Sequence, residues 1–116
     1  MFRDPAVYLE DMLEAIAQVQ EYTKGYDKKA FRADRRTRDA VTKNLEVLGE
    51  AAKGIPDELR NQHPDVEWGA IAGLRDILVH RYFAVNIHIV WDIVQTKLVP
   101  LAEKLRRILA SLEERE

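Results

Sequence analysis

The chain has no cysteine, which excludes disulfides and thiolate-held metal sites. Its three histidines, His63, His80 and His88, never fall four apart, the spacing at which two imidazoles on one helix share a metal. No metal or other cofactor is therefore expected. No run approaches the ~18 consecutive apolar residues of a membrane span. The opening Met1-Phe2-Arg3-Asp4-Pro5 lacks a basic-then-apolar signal layout, so a cytoplasmic protein without a membrane partner is expected. Apolar residues nowhere alternate with a period of two, which leaves no sign of a sheet. There is no internal repeat and no low-complexity linker. The net charge is only −2, too little for a protein that coats nucleic acid by bulk electrostatics, although a local basic pocket remains open to it.

What is present is helical periodicity. The 116 residues suit a single domain, 1–116. Asp4 is a good N-cap and Pro5 suits the first turn. Tyr8, Met12, Ile16 and Val19 then recur at helical spacing, with Leu9 and Leu13 widening the stripe and Gly25 as the stop. A polar connector follows, with Tyr26 and Phe31 tucked against the body. From about Asp34 the series Val41, Leu45, Leu48, Ala52 predicts a second long helix ending at Gly54, with Pro56 just beyond. The stretch 57–62 reads as one short helical turn. Asp65 is placed to cap a third helix through Trp68, Ile71, Leu74 and Leu78. Asn86 is placed to cap the last, which carries Val90, Trp91, Val94, Leu98, Leu101, Leu105, Ile108 and Leu112, with a kink at Pro100. The expected fold is all-α, a four-helix up-and-down bundle with a short extra turn.

Two groups of polar residues stand out. Arg32, Arg35, Arg36 and Arg38 form the densest basic cluster. A solvated surface is the plain reading. Their place at the positive end of the second long helix favours an anionic partner. The third helix carries the other group. At ~100° per residue, Ile71, Leu74, Leu78 and Tyr82 share one face, while Gly69, Gly73, Asp76 and His80 lie nearly opposite with Ala72 beside them. Glycine on an exposed helix costs about 1 kcal/mol relative to alanine. A stripe of small residues lets another backbone approach, either a helix of the same chain or a second copy across a two-fold axis. Asp76 and His80, four apart, can touch, and a carboxylate beside imidazole favours its protonated form. Arg75 lies about 140° around the helix from His80. The two reach one site only if the helix breaks near His80 or a second subunit contributes.

The run Arg75-Asp76-Ile77-Leu78-Val79-His80-Arg81-Tyr82 reads R-x4-H-x-Y. It resembles the signature of the HEPN ribonucleases, specifically the HepT toxin branch. The likeness extends over nearly the whole chain. Tyr8 to Ile16 resembles the family's first helix, and Arg38-Asp39-Ala40-Val41 with Leu48-Gly49-Glu50-Ala51-Ala52 its second. Trp68 and Val90-Trp91 fall where the family's tryptophans do, and Asp76 stands where many relatives carry Asn. The resemblance implies a homodimer that cleaves RNA without a metal. His80 would be the general acid or base and Arg75 would hold the scissile phosphate, with Asp76 in support. It also implies a partner, a minimal nucleotidyltransferase antitoxin that transfers AMP from ATP to Tyr82. Two other readings keep the fold: a non-catalytic helical module that partners a nucleotidyltransferase, and a plain scaffold in which Arg75, Asp76 and His80 form a surface ion-pair cluster. Glu50 could line a dimer cleft or pair with an arginine, and His63 and His88 read as surface or packing residues.

Overall fold

Residues 4–80 and 86–114 are described in a computed structural model of the chain, residues 79 and 80 by their backbone alone. Every regular element among them is helical. α1 is Pro5–Thr23, α2 Lys28–Ala33, α3 Arg35–Lys53, α4 Asp57–Gln62, α5 Trp68–His80, α6 Ile87–Asp92 and α7 Leu98–Glu114. A wider π-helical stretch, Ile93–Lys97, joins α6 to α7. α1 packs on α3 and α7, α3 also packs on α5, and α2 lies against α3 and α6. No described helix is long and apolar enough to cross a membrane.

Each long element starts and stops where local chemistry requires it. An Asp4 carboxylate oxygen accepts the Ala6 N–H at 2.9 Å, and Asp34 does the same for Thr37 at 3.1 Å. Asn86 accepts the His88 N–H at 2.8 Å. These bonds satisfy donors that the first helical turn leaves orphaned. Gly25 takes φ +80° beyond the end of α1, a conformation that costs glycine nothing. The end of α3 is closed by Arg60, whose Nε donates to the Ile55 carbonyl at 2.9 Å and whose Nη2 donates to Ala52 and Lys53 at 3.0 and 3.1 Å. A cation on those carbonyls is the favourable partner for the helix's negative end.

The core follows the apolar stripes. Leu9, Met12, Ile16 and Val19 of α1 meet Val41, Leu45, Leu48 and Ala52 of α3, and all eight are buried. Val90, Val94, Leu98, Leu105 and Ile108 close the other side, with Ile71 and Leu78 from α5. Burying a side chain of this size contributes roughly 1.5–3 kcal/mol, so these stripes outweigh any single surface ion pair.

Three local features depart from the pattern. The connector after α1 is itself helical. Asp27 caps it through the Ala30 N–H at 2.8 Å, and Phe31 is fully buried with its ring 5.0 Å from that of Trp91. Asp65 does not cap α5. The helix opens at Trp68, with Ile71 N–H donating to the Glu67 carbonyl at 3.0 Å. Val66 and Trp68 are buried, and the indole N–H donates to the His63 carbonyl at 3.0 Å, which fixes the turn before the helix can begin. Asp65 offers its carbonyl to Lys104 Nζ at 2.7 Å instead. The kink expected at Pro100 appears as the widened turn just before it. Proline lacks the N–H and crowds the carbonyl four residues back, that of Thr96. The π-helical stretch, in which Leu98 N–H reaches the Ile93 carbonyl, absorbs that misfit without ending the helix.

Candidate functional site

α3 and α5 approach each other most closely at Gly49. A Cβ at that position would lie 2.9 Å from Arg75 N, from Arg75 Cβ and from the Ile71 carbonyl. The absent side chain thus sets the position of Arg75. Its guanidinium then projects along the α3 surface, and its side chain remains 36% exposed. Nε lies 3.3 Å from Glu50 Oε2, and Nη1 lies 3.4 Å from Asp76 Oδ1. Lys53 Nζ completes the group, donating to the same Asp76 oxygen at 3.0 Å. The hydrogen bond from Lys53, helped by its charge and by Arg75, holds the Asp76 carboxyl below its ordinary range against the opposing effect of burial. Asp76 is therefore ionised at neutral pH and serves as an acceptor for two cations.

Glu50 pairs with an arginine, one of the two roles open to it in the sequence, whereas nothing in the spacing singled out Lys53. Gly49 and Lys53 are four apart on one helical face, with Glu50 one residue on. A glycine inside a long amphipathic helix, followed by two opposite charges, is the signal that another helix lies close at that level.

Arg75, Asp76 and the backbone of His80 all lie on α5, which is uninterrupted from Trp68 to His80. The ~140° twist separating positions 75 and 80 on a regular helix therefore stands, and no break in α5 before His80 brings them together. The side chain of His80 is outside the described set, and Tyr82 lies outside the described residues, so the contact expected between Asp76 and His80 falls outside them too. Among the described residues no group of three or more His, Asp or Glu side chains is arranged to hold a metal.

On the opposite face of α5 the described residues leave the two glycines open. A Cβ built on Gly69 or Gly73 meets nothing within 4 Å among the described residues. These glycines therefore do not relieve crowding against another described helix of the same chain. Ile77, beside them, is 50% exposed. In the basic cluster, Arg32, Arg35 and Arg36 are solvated, and Arg35 is 3.8 Å from Asp39. Arg38 differs: it is half-buried, and its Nε is buried without a hydrogen-bond partner among the described residues. His88 is exposed, and His63 contributes its carbonyl to the Trp68 anchor.

Known proteins resemble this chain over nearly its whole length. Residues 12–108 match the family model "Ribonuclease HepT-like". The "Probable ribonuclease HepT" of Thermococcus cleftensis is 36% identical over 108 residues, which span 93% of this chain and 98% of that protein. "Putative RNase MJ0127" of Methanocaldococcus jannaschii is 36% identical over 111 residues, 96% of this chain and 92% of its own. "Putative RNase TTE0752" of Caldanaerobacter subterraneus is 36% identical over 107 residues, 92% and 96% of the two chains. No match was found among solved structures. The matched span contains Gly49, Glu50, Lys53, Arg75 and the rest of the R-x4-H-x-Y run, and the chain belongs to the HepT-like ribonuclease family.

Proposed function

We propose that this chain is the ribonuclease toxin of a HEPN–nucleotidyltransferase toxin–antitoxin pair. It acts as a homodimer of up-and-down four-helix bundles and cleaves RNA without a metal. The observation that carries this reading is the R-x4-H-x-Y run inside a family match covering residues 12–108. The exposed guanidinium of Arg75 supports it. Surface ion pairs are worth only about 0–1 kcal/mol, so a phosphate can take Arg75 from Glu50 and Asp76 at little cost. Guanidinium offers a permanent, forked contact to the phosphate oxygens and stabilises the charge that develops there.

His80 supplies the proton transfer, since imidazole titrates near neutrality. It takes the proton of the ribose 2′-hydroxyl as O2′ bonds to phosphorus and the P–O5′ bond breaks, and the leaving O5′ takes up a proton from the imidazolium so formed or from water. The products are a 2′,3′-cyclic phosphate and a 5′-hydroxyl, and DNA is inert. Arg75 and His80 lie on different sides of one uninterrupted α5. The uncovered stripe of Gly69, Gly73 and Ile77 supports a second copy packing there. The reacting phosphodiester then lies in the groove between copies.

The antitoxin is a minimal nucleotidyltransferase. Tyr82 Oη attacks the α-phosphorus of ATP, pyrophosphate leaves and the phenol proton is lost. AMP on Tyr82 places bulk and negative charge where RNA must bind.

One experiment tests both halves. Structured RNA is incubated with the purified chain in excess EDTA, alone and after treatment with the partner nucleotidyltransferase and ATP. Cleavage is expected for the wild type and lost in Arg75→Ala and His80→Ala. Intact mass should rise by whole AMP increments in the wild type and not in Tyr82→Phe. Partner binding without cleavage would favour the non-catalytic module.

A further inference from the structure

Next to the Arg75 group lies a shallow cavity of about 500 Å³ between α1 and α3, walled by Tyr8, Asp11, Val47, Glu50, Lys53 and Gly54. We propose that it is a guanine-binding subsite of the RNA site, an assignment that rests on the ribonuclease reading above.

Three features point to a nucleobase. The first is an aromatic wall held in a fixed place. The Tyr8 ring lies so close to Gly54 that a Cβ there would run into Tyr8 Cε1. Gly54 ends α3 with ordinary right-handed backbone angles, φ −76° and ψ −14°. Any residue could adopt that backbone, so the glycine is needed for the ring and not for the turn. Aromatic rings fixed at a surface are what unpaired RNA bases stack on. The second feature is size, since the cavity falls in the ~300–1,000 Å³ range of small-ligand sites. The third is connection: Glu50 lines the cavity and also pairs with Arg75, and Lys53 lines it and also binds Asp76. A base in the cavity therefore has its phosphate beside the guanidinium.

The charge on the wall selects the base. Glu50 presents a carboxylate, which when ionised only accepts hydrogen bonds. Guanine alone among the four RNA bases offers two adjacent donors, N1–H and N2–H, to one carboxylate without setting an acceptor against it. Adenine and cytosine pair their amino donor with a ring-nitrogen acceptor, and uracil flanks its N3–H with two carbonyls. Glu50 is the acceptor we assign to the guanine edge, with Tyr8 as the stacking surface.

The test uses the full chain and four short single-stranded RNAs that differ only in the base beside a single cleavable linkage. The readout is the ratio of kcat/KM values across the set. A good two-point contact discriminates by at least about five-fold, so the guanine RNA should lead by that factor or more. Glu50→Gln should bring the four rates within about two-fold of one another, while loss of its contact to Arg75 alone would lower all four alike. Tyr8→Leu should raise KM for all four, and Tyr8→Phe should restore it, because stacking tolerates any base. Equal rates in the wild type, or a guanine lead that survives Glu50→Gln, would overturn the subsite. Should no RNA be cleaved, titration with guanosine and uridine 5′-monophosphates decides separately. Guanosine-selective binding abolished by Glu50→Gln upholds the subsite while the nuclease reading falls, and equal binding overturns it.

Discussion

Asp34 joins three hydrogen bonds at one helix start. Oδ1 accepts the Thr37 N–H at 3.1 Å, and Oδ2 accepts the Tyr26 hydroxyl at 2.6 Å and the Thr37 hydroxyl at 2.8 Å. The Tyr26 hydroxyl is the largest influence, followed by Thr37, and together they lower the Asp34 pKa from 3.8 to about 2. A carboxyl whose folded pKa is depressed stabilises the fold fully above its unfolded value and loses that contribution as pH falls through the folded one. The window is therefore from about 3.8 down to about 2. Asn also caps helices well, so Asp34→Asn removes the charge while keeping the cap geometry. Its stability at neutral pH should fall, and the acid-unfolding curve followed by circular dichroism should be flatter across that window. An unchanged pH dependence would show that Asp34 is not coupled to folding. Among the arginines around it, Arg38 is the one that sequence position did not distinguish. It follows the same helical spacing as Val41 and Leu45, which draws its stem inward while its three neighbours in the cluster stay solvated.

At the scale of elements, the contact between α3 and α5 decides whether Arg75 is held in place. Gly49→Ala would set a methyl group 2.9 Å from backbone atoms of Arg75 and Ile71, which cannot swing aside as a side-chain tip can. Overpacking of this kind costs about 1–3 kcal/mol. Alanine recovers about 1 kcal/mol of helix propensity. A net loss on the order of 1 kcal/mol is expected in thermal or urea unfolding, with cleavage falling further than stability because Arg75 moves with α5. A variant as stable and as active as the wild type would show that the two helices can separate freely. The same contact marks what could be read from the sequence. The stripes Leu9–Met12–Ile16–Val19 and Val41–Leu45–Leu48–Ala52 announced helices because burial repeats with the helical period. Asp4, Asp34 and Asn86 announced their starts because a cap is local chemistry. Asp65 had the same local credentials and was overruled by the buried indole of Trp68, a tertiary preference that no cap signal carries. The R-x4-H-x-Y run singled out Arg75 and Asp76, which lie within 3.4 Å of each other. Glu50, Lys53 and the Tyr8–Gly54 pair depend on which helices are neighbours, which the period of one helix does not encode.

For the whole molecule, the proposed function asks how an arginine and a histidine at positions about 140° apart on one helix would serve one phosphate. Within a single copy the backbone of an uninterrupted α5 sets positions 75 and 80 about 140° apart around the helix. In the proposed homodimer the difficulty would disappear, because across a two-fold axis each copy could meet the other's complementary residue and form two identical composite sites. The open stripe with Gly69, Gly73 and exposed Ile77 gives the second copy a surface where backbones can come close. This makes a demand that a self-contained site does not. Arg75→Ala and His80→Ala chains, each inactive alone, are unfolded together and refolded so that copies exchange at random. Half of the resulting dimers are mixed, and in each of these one site receives an intact arginine from one copy and an intact histidine from the other, while the second site receives neither. Activity should return to about a quarter of the wild-type value. It should fall again when either variant also carries Gly73→Glu, which places a charged side chain on the stripe without touching the core of its own copy. Recovery near zero in a mixture shown to exchange would mean that each copy completes its own site. Arg75 and His80 would then have to meet by a rearrangement of α5 itself.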